Sequence, residues 1–265
     1  MNGINIYRLR TQEIDASRFS GIVDHLDIKA ETHATDLALA AHDEHRALAY
    51  AQPGGKMAGV LLYIDNALGA GEISRRVLGE TTAKRIAEGF LEEFDLLPRV
   101  RAHENKARVA LSLELETNQP MGIVFDGRER RAVKSGTRVT SRFSLDGVAV
   151  VGPRAKIRLE FKAQERPRSV HVSAWEDLEL YETAELVREH DVMNVLRERL
   201  ARRHDDRAYY DVRDVKLAYF AAEYEGGPDL LRPFYFIEVE FSPRRHEHHE
   251  GVQGIRQLIQ VPAYR

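Results

Sequence analysis

The chain has 265 residues, of which 43% are hydrophobic and 31% charged, a balance typical of a globular protein with a substantial core. The formal net charge of -3 argues against a global basic field that would attract nucleic acid, so we expect no nucleic-acid partner. The absence of cysteine excludes disulfides, thiolate nucleophiles and cysteine-ligated metal centres.

The sequence carries no signal for export or membrane insertion. Its first residues, "MNGINIYRLRTQEIDASRF", lack the apolar core of a signal peptide. A membrane-spanning helix needs about 18 or more apolar residues in succession, and the sequence contains no such run. We therefore expect a cytoplasmic protein without membrane insertion.

Residues 1–45 are predicted to form a strand and a helix that pack on residues 46–143. "INIYRLR" alternates apolar and polar residues, which is typical of a half-buried strand. "DASRFSGIVDHLDI" places its apolar residues on one helical face, and Asp15 or Ser17 can cap that helix.

Residues 46–143 are predicted to form a first α+β unit. Two apolar runs flank Pro53-Gly54-Gly55, which indicates a hairpin because glycine supplies the positive φ of a tight turn. The pattern of "ETTAKRIAEGFLEEFDLLP" is helical, with apolar residues at spacings of three and four. "ARVALSLELET" and "MGIVFDG" alternate as strands do.

Residues 144–245 repeat this order of hairpin, helix and two strands, and residues 246–265 are predicted to be an exit loop and a tail. Asp146-Gly147 and Gly152-Pro153 have turn chemistry on either side of a short apolar run. The repetition predicts an α+β fold of two tandem units, each a curved antiparallel sheet packed against one main helix.

Three segments also resemble a known family. "SLDGVAVVGPRAKIRLEF" resembles a signature of PepSY-like modules, which include the YycH/YycI regulatory family. "VKLAYFAAEYEGGPDLLRPFYFIEVEF" is similar to the closing hairpin of such modules, and "TAKRIAEGFLEEFDLLP" to their helix. The resemblance implies tandem PepSY-like modules, which are mostly non-catalytic and bind peptides or proteins, inhibit peptidases or regulate other proteins.

The sequence contains none of the common catalytic motifs, which agrees with a non-catalytic module. The sequence has no G-x-S-x-G elbow, no P-loop and no G-x-G-x-x-G between a strand and a helix, so we expect no cofactor. The leading hypothesis is a non-enzymatic binding or regulatory module that holds a peptide, protein or small ligand on a sheet face, a sheet edge or in a cleft between units. Its oligomeric state is left open.

The alternative is a small-molecule enzyme, for example a cyclase or isomerase, with a pocket between helix and curved sheet. Acid–base chemistry or confinement would operate there if a few polar groups converged in an apolar cavity. The candidate ligand-binding residues of either hypothesis are His171, Trp175, Tyr219, Tyr224 and Tyr235, since histidine titrates near neutrality and tyrosine offers apolar area with a hydroxyl.

Histidine clusters raise a third hypothesis. His246, His248 and Glu250 in "RRHEHHEGVQG" would share one face of a strand and could then hold a metal ion. The flanking proline and glycines instead favour an exposed loop. A second group in "AETHATDLALAAHDEHR" contains His33, His42 and His45, which belong either to a ligand set or to a turn.

Overall fold

The computed structural model describes residues 3–53, 57–67, 77–100, 110–126, 129–203, 208–222, 229–243 and 255–265. More than half of these residues lie in strands and fewer than a fifth in helices. Pairing between strands therefore determines the architecture, and the helices cover parts of it.

The helices within these ranges are α1 (Ala16–His25), α2 (Glu80–Glu93) and α3 (Glu189–Arg203). The strands up to residue 134 are β1 (Gly3–Thr11), β2 (His33–Ala34), β3 (Ala38–His42), β4 (Arg46–Ala51), β5 (Val60–Asp65), β6 (Arg99–Val100), β7 (Leu111–Asn118), β8 (Met121–Asp126) and β9 (Glu129–Lys134). The later strands are β10 (Thr137–Leu145), β11 (Val148–Val151), β12 (Lys156–Phe161), β13 (Ser169–Ser173), β14 (Trp175–Glu185), β15 (Ala208–Phe220), β16 (Leu230–Pro243) and β17 (Ile255–Pro262).

Fifteen of these strands join in one mixed sheet. Thirteen follow one another in the order β2-β3-β4-β5-β13-β12-β10-β11-β15-β16-β1-β14-β6, while β7 pairs with β10 and β17 pairs with β16. Among the described strands, the parallel pairs are β11 with β15 and β14 with β6. The strands β8 and β9 form a separate hairpin.

The expectation of two tandem α+β units, each with its own antiparallel sheet and one main helix, is wrong. Strand β5 of the predicted first unit pairs along its length with β13 of the predicted second unit. Alternation shows which face of a strand is buried, but it does not show which strand lies beside it. The strands of both halves therefore belong to one sheet, although the two halves show the same order of elements. The residue boundaries of the four predicted segments stay a prediction.

The turn between β10 and β11 is explained by its sequence. Asp146 and Gly147 have φ values of 50° and 82°, and a type I′ turn requires two such positive values. Gly152, with a φ of 121°, follows the end of β11. It lies so close to Ala221, the residue after β15, that a Cβ would overlap the carbonyl oxygen of Ala221. These turns are the ones predicted from the sequence, and they bring β11 beside β15.

Helices α1 and α2 cover the sheet with the apolar faces that the sequence predicts. Asp15 caps α1, where its Oδ1 accepts the backbone N–H of Arg18 at 2.8 Å. Helix α2 buries Ala83, Ala87 and Phe90 in a large apolar cluster. Helix α1 and one face of the sheet, which we call the inner face, contribute to the same cluster. Helix α3 covers a second cluster on β15, β16 and β17. No helix among the described residues combines the length and apolar character needed to cross a membrane.

Candidate binding face

One surface of the sheet points away from the large apolar cluster. In β5 the side chains of Leu61 and Tyr63 are buried, whereas Leu62 and Ile64 are 39% and 43% exposed. Strands β3, β4, β12 and β13 alternate in the same way. Because successive side chains of a strand point to opposite faces, the more exposed residues of these strands lie together on one surface.

Strand register arranges this exposed set in two adjacent rows, which together form the outer face of the sheet. The first row is His33, Ala40, Ala49, Leu62, His171, Arg158 and Thr140. The second row is His42, Ala47, Ile64, Ser169, Glu160 and Arg138. Side chains directly opposite one another on neighbouring strands lie about 4.5–5.5 Å apart at Cβ, so each row is a line of contacts across the sheet.

The half of the outer face on β4 and β5 is apolar. Ala47, Ala49, Leu62 and Ile64 line a groove of about 400 Å³, which extends to His171 on β13. Ligand sites are commonly apolar clefts with a few polar groups at their edge, so this groove is a candidate binding site. The small alanine side chains leave the space between the branched side chains open.

The half on β12 and β10 is basic. The Glu160 carboxylate accepts hydrogen bonds at Oε1 from Nε of Arg138 at 2.9 Å and from Nε of Arg158 at 3.0 Å. A second, polar groove of about 190 Å³ runs along these residues and also contacts Lys162 and Arg168. Arg158 lines both grooves, so the apolar and the basic halves are continuous.

Electrostatics sets the charge state of this face. Burial alone would raise the pKa of Glu160, but hydrogen bonds from Arg158 and Arg138 outweigh it and lower the pKa below its ordinary value. Burial lowers the pKa of His171, and the positive charges of Lys156 and Arg158 lower it further. At neutral pH the carboxylate is therefore ionised and the imidazole uncharged.

Three other side chains predicted to bind a ligand lie elsewhere. Trp175 is fully buried in the large cluster and packs on Phe143, with ring centroids 5.2 Å apart. Tyr219 lies in the same cluster and packs edge-on against Tyr7, with ring centroids 5.7 Å apart. Tyr235 lies in the cluster beneath α3, where its hydroxyl donates to the carbonyl oxygen of Val187 at 3.0 Å. The structure therefore does not bring these residues together with His171.

The remaining predicted site residues, Tyr224, His246, His248 and Glu250, lie outside the described residues. In the second histidine group, His33 and His42 come together at the β2–β3 end of the outer face, with ring centroids 6.3 Å apart. Asp43 accepts backbone N–H groups of His45 and Arg46 at 2.9 and 2.8 Å, as turn residues do. Within the described part of the chain, no three histidine or acidic residues are grouped as metal ligands would be.

Sequence reasoning identified His171 but missed its neighbours on the outer face. The alternation of "RALAY" and "VLLYID" was a usable signal, because it places Ala47, Ala49, Leu62 and Ile64 on the face opposite to the bulky tyrosines. The proximity of Arg158 and Glu160 to these residues depends on strand order, which the pattern does not contain.

Comparison with known proteins bears on the fold alone. No family model matches this chain, and no curated protein gives a significant match. The resemblance to PepSY-like modules therefore receives no support from these comparisons. A solved structure with a similar fold is the crystal structure of an uncharacterized protein from Eubacterium rectale ATCC 33656. The two chains are 10% identical, with a TM-score of 0.50 over 99% of this chain and 84% of that chain.

Proposed function

We propose that this protein is a non-enzymatic binding module that holds its ligand on the outer face. The observation that carries the proposal is the continuity of an apolar groove of about 400 Å³ with a basic groove through Arg158. Ligand sites are commonly apolar clefts of roughly this size in which a few polar groups fix the orientation of the ligand. His171, Ser169 and Arg158 are such polar groups here.

The apolar half contributes to binding through the hydrophobic effect. Covering the exposed parts of Leu62 and Ile64 removes apolar surface from water and contributes about 25 cal/mol per Å². The groove is already formed by paired strands, so little conformational entropy is lost when it is filled. Binding therefore requires no rearrangement of the sheet.

The test uses Nile red, a neutral dye that fluoresces strongly in apolar surroundings. We expect Leu62→Lys to weaken dye binding about fivefold, the effect of losing about 1 kcal/mol. The matched control is Leu258→Lys, since Leu258 lies on β17 of the same sheet and is 64% exposed. The control variant is expected to bind the dye as the unchanged protein does.

Circular dichroism and thermal melting must show that both variants remain folded, which their exposed positions favour. Equal loss of dye binding in the two variants, or no loss in either, would contradict a ligand site on the outer face.

A second candidate function, a small-molecule enzyme, is favoured by one observation. The pKa of His171 is lowered mainly by burial, so its neutral imidazole can accept a proton beside the cationic Arg158. Turnover of a metabolite library by the unchanged protein, abolished in His171→Gln, would establish this function in place of simple binding.

A further inference from the structure

We propose that the ligand of the outer face is a small apolar molecule carrying one carboxylate. Its apolar part lies over Leu62 and Ile64, and its carboxylate lies at Arg158. This inference rests on the proposed binding function and names the class of ligand.

The charge of the basic half favours an anion. The elements β10 and β12 and the segment that leads into β13 carry two carboxylates, those of Glu160 and Glu165. Two of their cationic side chains, Arg142 and Arg166, pair with carboxylates of other elements. Five further cationic side chains belong to them, those of Arg138, Lys156, Arg158, Lys162 and Arg168. Ion pairs with Glu160 engage Arg138 and Arg158. In the described part of the chain, no ion pair engages Lys162 or Arg168. The basic half therefore has an excess of positive charge that a ligand anion can neutralise.

The hydrogen-bonding geometry favours a carboxylate. Glu160 accepts hydrogen bonds from Nε and Nη2 of Arg158 and from Nε of Arg138. A guanidinium has five N–H donors, so further donors of both arginines remain for a second acceptor. Glu160 also fixes the two side chains in place, which lowers the entropy lost when an anion binds. Arginine matches the planar, two-oxygen geometry of a carboxylate better than lysine does.

The register sets the length of the ligand. Ala49, Leu62, His171 and Arg158 are successive members of the first row, on four neighbouring strands. Neighbouring strands lie about 4.8 Å apart, so the row from Ala49 to Arg158 is about 14 Å long. An extended chain advances roughly 1.2 Å per bond, and this distance therefore corresponds to roughly 12 bonds.

The apolar half argues against an extended peptide. Ala47, Ala49, Leu62 and Ile64 have no side-chain hydrogen-bonding groups, and their backbone groups are paired within the sheet. A peptide lying there would bury amide groups without partners, which costs about 1–3 kcal/mol for each group. An alkyl or aromatic body avoids this cost.

The first experiment compares three ligands that differ only in their head group. Decanoate, 1-decanol and decylamine are titrated against the Nile red complex of the full chain at a pH of about 8, where decanoate is ionised. We expect decanoate to displace the dye at about tenfold lower concentration than 1-decanol and decylamine to be the weakest, because the basic half attracts anions and repels cations. The advantage of decanoate should decrease as salt is added.

The second experiment assigns the effect to Arg158. Arg158→Gln should remove most of the difference between decanoate and 1-decanol, because displacement of the dye by decanoate should weaken far more than displacement by 1-decanol. Arg158→Lys should retain part of the difference, since it keeps the charge but loses the planar geometry. The matched control is Arg256→Gln, because Arg256 on β17 of the same sheet is likewise paired with carboxylates, those of Glu238 and Glu240.

The outcomes separate the two proposals. Equal displacement by decanoate and 1-decanol, together with dye binding that depends on Leu62, would overturn the carboxylate and leave the binding face intact. Dye binding that is insensitive to Leu62 would overturn the binding face itself. Displacement by an acidic amphipathic peptide but not by decanoate would show that the partner is a protein segment, and the small carboxylate would then be wrong.

Discussion

The two faces of strands β3, β4, β5, β13 and β12 are built from the same short segments but have different surroundings. The inner face contributes Leu48, Tyr50, Leu61 and Val172 to the large cluster, where each is almost completely buried. The outer face places alanines, Leu62 and Ile64 at the intervening positions and exposes them. The difference separates stability from recognition, because one face maintains the fold while the other can change with little effect on it.

The largest expected effect comes from a pair of neighbouring leucines. Leu61→Ala empties a fully enclosed site and is expected to lower the free energy of unfolding by about 2–5 kcal/mol. Leu62→Ala should lower it by less than about 1 kcal/mol because this side chain is 39% exposed.

Urea denaturation followed by circular dichroism measures both changes, and Nile red titration of the same samples measures binding. If Leu62→Ala destabilises the protein as much as Leu61→Ala does, the outer face also maintains the fold. If only Leu62→Ala weakens dye binding, recognition belongs to the outer face alone.

A smaller effect is expected on the inner face at alkaline pH. Burial raises the pKa of Tyr50 to about 12, and its hydroxyl donates to the carbonyl oxygen of Gln12. An unfolded tyrosine ionises near a pH of about 10, so the contribution of Tyr50 is complete below that pH and decreases as the pH rises toward 12. Tyr50→Phe should therefore lose less stability between a pH of about 9 and about 11.5 than the unchanged protein.

Urea midpoints at the two pH values test this expectation. The control is Tyr181→Phe, whose side chain is 45% exposed, and which should follow the unchanged protein. An identical alkaline decrease in Tyr50→Phe and the unchanged protein would show that ionisation of Tyr50 does not contribute.

The smallest effect is expected on the outer face at acidic pH. Burial and the neighbouring cations lower the pKa of His171, so the unfolded chain takes up a proton near a pH of about 6.5 before the folded chain does. Stability from the neutral imidazole is therefore complete above that pH and decreases as the pH falls toward the lowered pKa.

His171→Gln should show a smaller loss of stability between a pH of about 7.5 and about 5, measured by urea denaturation. His190→Gln on the exposed side of α3 is the control, since the His190 side chain is 82% exposed. A larger acidic loss in His171→Gln than in the unchanged protein would contradict the assigned direction of the shift.

Local features of the fold were predictable from the sequence. The alternation at the start of the chain predicted β1, the spacing of Ala83, Ala87 and Phe90 predicted the buried face of α2, and Asp146-Gly147 predicted the turn after β10; all three are confirmed. These features depend on residues that are close in sequence. The pairing of β5 with β13 and of β11 with β15 was not predictable, because hydrophobic alternation is compatible with many neighbours.

The candidate site shows the same limit. His171 was selected for its chemistry, whereas its partners Leu62 and Arg158 become neighbours only through the pairing of three strands. Trp175 was selected as a polar group that could converge with others in an apolar cavity, but its large ring also suits the core that it occupies. A residue type alone therefore does not distinguish a binding surface from a core.

The position of β1 has a consequence for synthesis on the ribosome. This strand pairs with β14 along its length and with Leu230 and Leu231 of β16 at its centre. At roughly 5–20 residues per second, its partners emerge on the order of ten seconds or more after β1 itself. During that interval β1 lacks these partners, and the exposed charges of Arg8 and Arg10 oppose its pairing with another chain.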